Sequence, residues 1–319
     1  MDDPIVDIGI PVYRRATYVA TAIESVMAQS YANWSLVISE ELGPTDSVLQ
    51  AVEPYLADAR VRYVPVSDRL GVARHKSSLA AQGTGRYLAL LDDDDCWDPH
   101  WLAARVRFME ANPECGLVWG GHIDIDGDGR EIRKVPLPMP EGVHSSRVFV
   151  ERMMKGNIVA TPDVLLRRET YSSAGNLFDH RFLHIDDYEL FIRMGLEGPV
   201  GFLAVHDAAY RLHDHQYHHR HDRSLDYFHF VDHLDRMLQT TLPQIRLSSS
   251  QRRQLKAERL LSAALDAAEA AQPRTAARRI LRAAGLAPRA LVSRRGLAAV
   301  ASTLGGRALS RRIGTMRSA

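Results

Sequence analysis

The stretch that decides the fold is Leu88–Pro99, LALLDDDDCWDP. Tyr87 to Leu91 are apolar or aromatic and run straight into four aspartates, Asp92 to Asp95. A short apolar run bounded by polar residues reads as a buried strand, and open α/β sheets gather ligands at the carboxyl ends of their strands. Adjacent carboxylates repel one another, and folding alone gives little reason to put four together. A divalent cation gives one. Carboxylate oxygens suit Mg2+ or Mn2+, ions commonly shared between one or two carboxylates and substrate phosphates. The competing reading is an acidic turn capping the helix that opens at Asp98-Pro99, because carboxylates also favour a helix N-terminus. Asp95 and Asp98 suit the cap; Asp92 and Asp94 are assigned to the metal.

The residues before this stretch alternate in type. Val6 to Val12 reads as a first buried strand, and Ala16 to Gln29 follows a helical period with Tyr18, Val19, Ala22, Ile23 and Val26 on one face. Trp34 to Ser39 is a second strand ending in Glu40-Glu41, and Gly43-Pro44 marks a turn. A short helix over Ser47–Leu56 leads to a strand over Val61–Val66. The helix Gly71–Gln82 carries Arg74, His75 and Lys76 and is stopped by Gly83 and Gly85. Strands alternating with helices predict a parallel sheet covered by helices. Each strand ends in polar or acidic residues, so one edge of that sheet should collect the chemistry.

After the aspartates the pattern predicts a helix over Asp98–Asn112, with Trp101, Leu102, Val106 and Met109 inward, and a strand over Cys115–Gly120. Asp124–Glu131, DIDGDGRE, imitates the start of a calcium loop, but the twelfth position is Val135 where a bidentate Glu is required. It reads instead as a hairpin turn at Gly127–Gly129. Pro136–Gly142, with three prolines, is a loop and a candidate lid. A helix over Ser145–Lys155, a strand over Val159–Leu166 and a loop over Leu177–Ile185 anchored by Phe178 and Phe182 follow. Asp186–Leu196 is a helix with Leu190, Phe191 and Met194 inward, and Val200–Leu212 is β-like.

The motifs IPVYRR, TAIESVMAQSYANW, LGVARHKSSLAAQGTGRYLALLDDDDCWDP and DDYELFIRM, in that order, resemble the inverting family 2 glycosyltransferases over about residues 5–215. The resemblance implies a GT-A fold, an α/β nucleotide-sugar half of about 1–114 joined to an acceptor half of 115–223. It implies an enzyme that moves a sugar from a nucleoside-diphosphate sugar to a hydroxyl of a glycan, lipid-linked or small-molecule acceptor. The outer members of the triplet Asp92-Asp93-Asp94 match the family's metal-binding aspartates, although a run of four leaves the register open by one. Pro11 and Tyr13 in IPVYRR, together with Asp93, fall where the family contacts its donor, and Arg74 matches an arginine able to pair with phosphate. Asp187, the second acid of DDYELFIRM, matches the family's catalytic base; a helix cap is the rival reading of the pair. His213 matches a position that binds metal or diphosphate, and a solvated histidine-rich loop is its rival. Where the family has two aspartates, the first of which often contacts the uracil, this chain has SEELGPTD, which leaves Glu40 for that role. Arg14-Arg15 stand in place of the family's Asn after Tyr, and His75 in place of its Asn after Arg74. A domain of this fold that binds nucleotide or glycan without turnover is the alternative function. A sugar-nucleotide pyrophosphorylase is disfavoured, because no Gly-rich, arginine-containing triphosphate loop lies near the N-terminus.

Composition is that of an ordinary globular protein, with 45% apolar and 25% charged residues in 319. Cys96 and Cys115 show no metal or redox spacing and read as reduced thiols of a cytoplasmic protein. There is no signal peptide and no membrane-spanning run. The net charge of +1 is unevenly spread. From Arg274 to Ala319 there are eleven arginines, no lysine and no acid, so residues 1–273 carry 29 basic and 39 acidic residues. Residues 224–319 form a helical extension. Helices are expected over Ser224–Gln239 and Ser250–Gln272, then short amphipathic helices broken at Gly285, Pro288, Gly296 and Gly305-Gly306. Two readings of the arginines stand: a patch for anionic lipid, which would make the protein peripheral at the inner membrane face, or a basic hairpin or tail against the acidic remainder. No nucleic-acid motif or aromatic interleaving supports a nucleic-acid partner.

Overall fold

The computed structural model describes residues 3–13, 15–175, 178–179, 181–182, 185–213, 224–241, 247–269 and 272–305. The chain divides into two compact units, Met1–Gln216 and Tyr217–Ala319.

In the first unit, strands β1 (Val6–Val12), β2 (Trp34–Glu40), β3 (Val61–Tyr63) and β4 (Tyr87–Leu90) alternate with helices α1 (Val19–Met27), α2 (Asp46–Val52) and α3 (Val72–Ala80). The strands pair in parallel in the order β3-β2-β1-β4. Parallel neighbours need a crossover, and each helix supplies one. Their apolar runs are buried on both faces, as the continuous rather than alternating sequence pattern requires. β3 is shorter than expected: Val66 makes a single bridge to Glu41 rather than extending the ladder.

The chain continues through β5 (Cys96–Trp97), α4 (Trp101–Ala111), β6 (Leu117–Ile125), β7 (Glu131–Lys134), β8 (Gly142–His144), α5 (Ser146–Lys155), β9 (Val164–Arg167), α6 (Arg168–Ser173), α7 (Asp186–Glu197) and β10 (Val200–Arg211). β9 lies antiparallel between β4 and β6, and β10 runs parallel to β6. The result is one ten-stranded, mostly parallel sheet with helices on it, the expected GT-A architecture. β1, β2, β4, β6 and β10 all end at one edge, and the segment that enters β9 reaches the same edge. β5 pairs with β10, so the aspartate run is held in the sheet at both of its ends.

The expected strand over Val159–Leu166 starts only at Val164, because Thr161–Asp163 forms a 3-10 turn around Pro162, which has no N–H for a ladder. The expected strand at Cys115–Gly120 instead runs to Ile125 and turns into β7. The hairpin turn at Gly127–Gly129 forms: Gly129 has φ +85°, and Asp126 Oδ1 accepts the N–H groups of Asp128 and Arg130 at 2.9 Å each. α4 buries Trp101, Leu102, Val106 and Met109, and with them Arg105. Arg105 donates to both oxygens of Asp207 at 2.7 and 2.8 Å and to the Asp163 carbonyl at 3.0 Å, and its guanidinium lies 3.9 Å over the Trp101 ring. A buried arginine is tolerable when its fork is filled in this way.

The second unit is helical: α8 (Ser224–Thr241), α9 (Ser249–Glu269), α10 (Pro273–Leu286) and α11 (Arg294–Gly305). α9 packs against the other three. Its buried face of Ala257, Leu260, Leu261 and Ala264 meets Ala276, Ala283 and Ala299, small side chains that let helices approach closely. The cations Lys256 and Arg282 stand 4.6 and 4.4 Å over the ring of Phe228, joining α9 and α10 to α8. As expected, α10 ends beside Gly285, at Leu286; contrary to expectation, Gly296 lies inside α11. A Cβ on Gly296 would sit 2.4 Å from the carbonyl oxygens of Ala290 and Leu291, so this glycine serves a close approach and not a break. Pro288 opens a 3-10 turn between the two helices. Arg307, Arg311, Arg312 and Arg317 of the arginine-rich segment lie outside the described residues. No helix among the described residues is long and apolar enough to cross a membrane.

Candidate active site

The four aspartates leave β4 at the edge where the parallel strands end. Asp93 and Asp95 are almost wholly buried, Asp94 is buried and Asp92 is half-buried. Each of Asp93 and Asp95 has one oxygen without a hydrogen-bond partner among the described residues. Burial pushes both carboxyls well above the usual carboxylate range; Arg15 draws Asp93 back, while Asp94 and Asp92 repel Asp95 further upward. The protein sets four cationic or imidazole groups against this run. Arg15 forms a fork, donating to Asp93 Oδ1 and, at 2.7 Å, to Asp94 Oδ2. His213 Nε2 lies 3.0 Å from the same Asp94 oxygen. Lys76 Nζ is 3.7 Å from Asp92. Arg211, at the end of β10, gives its backbone N–H to Asp95 at 2.9 Å and its Nε to the Asp94 carbonyl at 2.8 Å, and it lies 4.6 Å over the Tyr18 ring. Arg211 thus fixes the backbone of the run and leaves the Asp92 and Asp94 carboxylates for other work.

Lys76 is the residue that joins this run to the acid pair of α7. It is buried, and its Nζ reaches Thr161 Oγ1 at 3.5 Å, whose hydroxyl in turn lies 3.4 Å from Asp187 Oδ2. Burial opposes the lysine's charge, but Asp92, Asp186 and Asp187 outweigh it and hold the ammonium above its usual range. The two acids of the pair differ. Asp186 is buried, its Oδ2 has no hydrogen-bond partner among the described residues, and burial pushes its carboxyl up to about 7 even though Lys76 pulls it down. Asp187 is half-buried, and its Oδ1 accepts the Tyr188 N–H at 2.7 Å. Neither side chain caps the helix: the residue at that position is Ile185. Asp187 nonetheless meets a first-turn N–H of the helix from within it.

The remaining expected site residues differ in their surroundings. Arg74 is exposed on α3 and makes no ion pair among the described residues. Residues two apart on a helix point about 200° from each other, so burying Lys76 turns Arg74 outward. Glu40, assigned to the nucleobase, is fully buried in its own turn: one oxygen accepts from Thr45 Oγ1 at 2.5 Å, and the other from the Thr45 N–H at 3.0 Å and from Tyr63. Pro11 lies beside Ser39 in the β1–β2 register, at the chemical edge. Tyr13 is exposed, with Arg69 5.8 Å over its ring, while its backbone supports Asp93. Arg14 and the histidines of 214–223 lie outside the described residues. Sequence reading missed Arg15, Lys76, Thr161 and Arg211 as partners. The cue available for Lys76 was its place among Ala73, Ser77 and Ala80 on the inward stripe of α3.

The run and the acid pair therefore share one edge of an α/β sheet, joined through Lys76 and Thr161. The family model described as glycosyl transferase family 2 matches residues 7–172, just over half of the chain. The chain belongs to that family. It is a glycosyltransferase, in agreement with the motifs that suggested it. A relative from Escherichia coli, the UDP-Glc:alpha-D-GlcNAc-diphosphoundecaprenol beta-1,3-glucosyltransferase WfgD, is 24% identical over 192 residues, 60% of this chain and 70% of its own. The fold is similar to that of S. aureus TarS in complex with UDP-GlcNAc, with TM-score 0.62 and 12% identity over 98% of this chain and 91% of that one. The mannosyltransferase PcManGT of Pyrobaculum calidifontis, in complex with GDP-Man and Mn2+, aligns with TM-score 0.58 and 18% identity over 99% of this chain and 86% of that one. At these identities the likeness to the solved structures is one of fold.

Proposed function

We propose that this glycosyltransferase moves a sugar, with inversion, from a nucleoside-diphosphate sugar to an acceptor hydroxyl, with Asp187 as the general base. The observation that carries the reading is the contact chain Asp92–Lys76–Thr161–Asp187, which sets the aspartate run and the base side by side. Asp187 keeps solvent contact, so an acceptor hydroxyl can reach it, whereas Asp186 is enclosed. A base that activates the acceptor for one direct displacement inverts the anomeric centre. Lys76 holds a positive charge between the two acid groups and orients Thr161 beneath the base.

The aspartate run fits a divalent ion. Its four carboxylates face three cations, Arg15, Lys76 and Arg211, and one imidazole, His213, and one buried oxygen on each of Asp93 and Asp95, beside the proposed ligands, lacks a partner among the described residues. Asp92 and Asp94, with His213 as a third ligand, would hold Mn2+ or Mg2+, a donor set of oxygens and one imidazole that suits either ion. Bound there, the ion would neutralise the charge that grows on the leaving diphosphate. Asp93 would then face the donor from the middle of the triplet, with Pro11 and Tyr13 alongside. Glu40 is satisfied within its own turn, so we assign it to holding that turn and leave the nucleobase to other groups.

A lipid-linked acceptor is the class we favour. The acceptor in the name of WfgD is a diphosphoundecaprenol glycan. The three most exposed large apolar side chains among the described residues are Val292, Leu281 and Leu297, at 74, 71 and 60%. All lie in the segment with eleven arginines and no acid, and Arg274, Arg278, Leu281 and Gly285 are exposed at helical spacing on α10. Basic helices that show apolar side chains bind anionic lipid surfaces, and the protein would be peripheral at the inner face of the membrane.

The test is a thermal-shift panel of UDP, GDP, dTDP, CDP and ADP, each with Mn2+, Mg2+ or chelator, on the wild type and Asp94→Ala. A ligand of the folded state raises the melting temperature. One nucleoside diphosphate that stabilises the wild type with metal, and loses that effect in Asp94→Ala, is the expected result. No shift with any nucleotide in a folded protein would overturn the metal–diphosphate assignment and favour a domain that binds glycan without turnover.

A further inference from the structure

The carboxylate proposed as a metal ligand, Asp94, already has a cation on it. Arg15 comes from the segment after β1, and its guanidinium spans two neighbouring side chains, Asp93 Oδ1 and Asp94 Oδ2. The Asp94 oxygen that takes Arg15 at 2.7 Å also takes His213 Nε2 at 3.0 Å. One carboxylate oxygen therefore serves two groups, while Asp92, the other proposed ligand, has Lys76 at the longer distance of 3.7 Å. The two contacts of Arg15 are unequal in setting. Asp93 is nearly inaccessible at 1% exposure, with Arg15 its one ion-pair partner among the described residues, whereas Asp94 is also buried but at 7% keeps a little more exposure. Arg15 itself keeps 30% of its side chain exposed, so it has room to move.

From this geometry we infer that Arg15 is the resident counter-cation of the aspartate run, and that a divalent ion must displace it from Asp94. Arg15 keeps its hold on Asp93 through Nη2, and Nη1 is released. Two consequences follow from charge alone. The ion, arriving by itself, competes with a guanidinium already in hydrogen-bond contact, so the site is weakened for metal without nucleotide. When a diphosphate arrives with the ion, the released Nη1 gains an anionic oxygen to bind, so the cost of displacement is returned. Arg15 thereby couples metal to donor: each raises the other's affinity by the same factor, as linkage requires. A bare ion is then held weakly until the donor is in place. This inference rests on the metal reading of Asp92 and Asp94 given above.

The experiment measures Mn2+ binding directly, without nucleotide, from the loss of the free-ion electron paramagnetic resonance signal. The wild type, Arg15→Gln, Arg15→Lys, Asp94→Ala and the double variant Arg15→Gln/Asp94→Ala are titrated at one pH, with circular dichroism to check the fold of each. Expected is Mn2+ binding at least tenfold tighter in Arg15→Gln than in the wild type, about 1.4 kcal/mol. Arg15→Lys should lie between them, because an ammonium cannot span both carboxylates. The gain should vanish in the double variant. If Arg15→Gln does not fold, Arg15→Lys alone decides, with tighter binding than wild type expected. Equal or weaker Mn2+ binding in both variants, with the wild type still showing metal-dependent nucleotide binding, overturns the role of Arg15 and leaves the metal site standing. Mn2+ binding that is unaffected by Asp94→Ala, or absent from every form even with nucleotide, overturns both.

Discussion

Replacing Lys76 by methionine keeps the length of the side chain and removes its charge. The lysine is buried, 3.7 Å from Asp92, and lies within the field of Asp186 and Asp187. At an effective dielectric of about 20, the Lys76–Asp92 attraction alone is about 4 kcal/mol before the cost of burying the ammonium is set against it. Removing one partner of a buried pair typically costs about 3–5 kcal/mol. Here Asp92 retains solvent contact and Asp186 can take up a proton, so the expected loss near neutral pH is about 2–3 kcal/mol. Its pH dependence identifies the cause. The Asp186 carboxyl is pushed up from 3.8 to about 7. The folded state therefore holds a proton that the unfolded chain has lost across that window, and stability falls as pH rises through it. Lys76 limits the fall by drawing the carboxyl downward. Without it the carboxyl rises further, and the decline in stability continues above pH 7. Below pH 6, Asp186 is protonated with or without the lysine, and its share of the loss disappears. The loss in Lys76→Met should then be about 1 kcal/mol larger at pH 8.5 than at pH 5.5. Urea denaturation followed by tryptophan fluorescence at the two pH values measures both numbers. A loss under about 0.5 kcal/mol at pH 8.5, below the usual worth of even a modest buried contact, would refute the placement of Lys76 between the two acid groups. A loss independent of pH would refute the role given to Asp186.

The other predictions separate chemistry from architecture. Asp187→Asn should lower the rate of sugar transfer by about 10²–10⁴-fold, the usual worth of a general base, and leave metal-dependent nucleotide stabilisation in place. A transfer assay and a thermal shift on the same sample show both, and near-wild-type transfer would remove Asp187 from the mechanism. Glu40→Gln should cost about 1–3 kcal/mol of stability, because three donors meet that carboxylate. Its nucleotide affinity should stay within about twofold, under half a kcal/mol; a large selective loss of affinity would return Glu40 to the donor site.

The architecture of the first unit was legible because its signals are local. Buried parallel strands read as unbroken apolar runs, and helix faces repeat with the helical period, so β1, α1, β2, α3, β4, α4 and α7 all appear near their expected places. What escaped was set by partners distant in sequence. β5 is two residues long and exists only because Ala208 and Ala209 lie opposite it. Gly296 looked like a helix break until the carbonyls of 290 and 291 were seen against it. The aspartate run stood out as four acids at a predicted strand end, and the Asp186-Asp187 pair through its match to the family motif. Their cations did not stand out, because the chain is rich in arginine and only packing shows which ones turn inward. Arg74 and Lys76 differ by two positions on one helix and by half a turn in direction. Glu40 occupied a suggestive place at the end of β2, but its carboxylate had nearer donors in Thr45 and Tyr63.

The antiparallel strand β9 carries a mechanical consequence. It joins β4 to β6 by backbone hydrogen bonds, and Arg105 rivets α4 to Asp163 and Asp207 close by. Enzymes that grip by bending need a seam, and in this sheet the place where a seam would run is stitched shut. The aspartate run therefore sits on one continuous sheet, held by β4 before it and β5 after it, and residues 136–141 leave that sheet as a loop between β7 and β8.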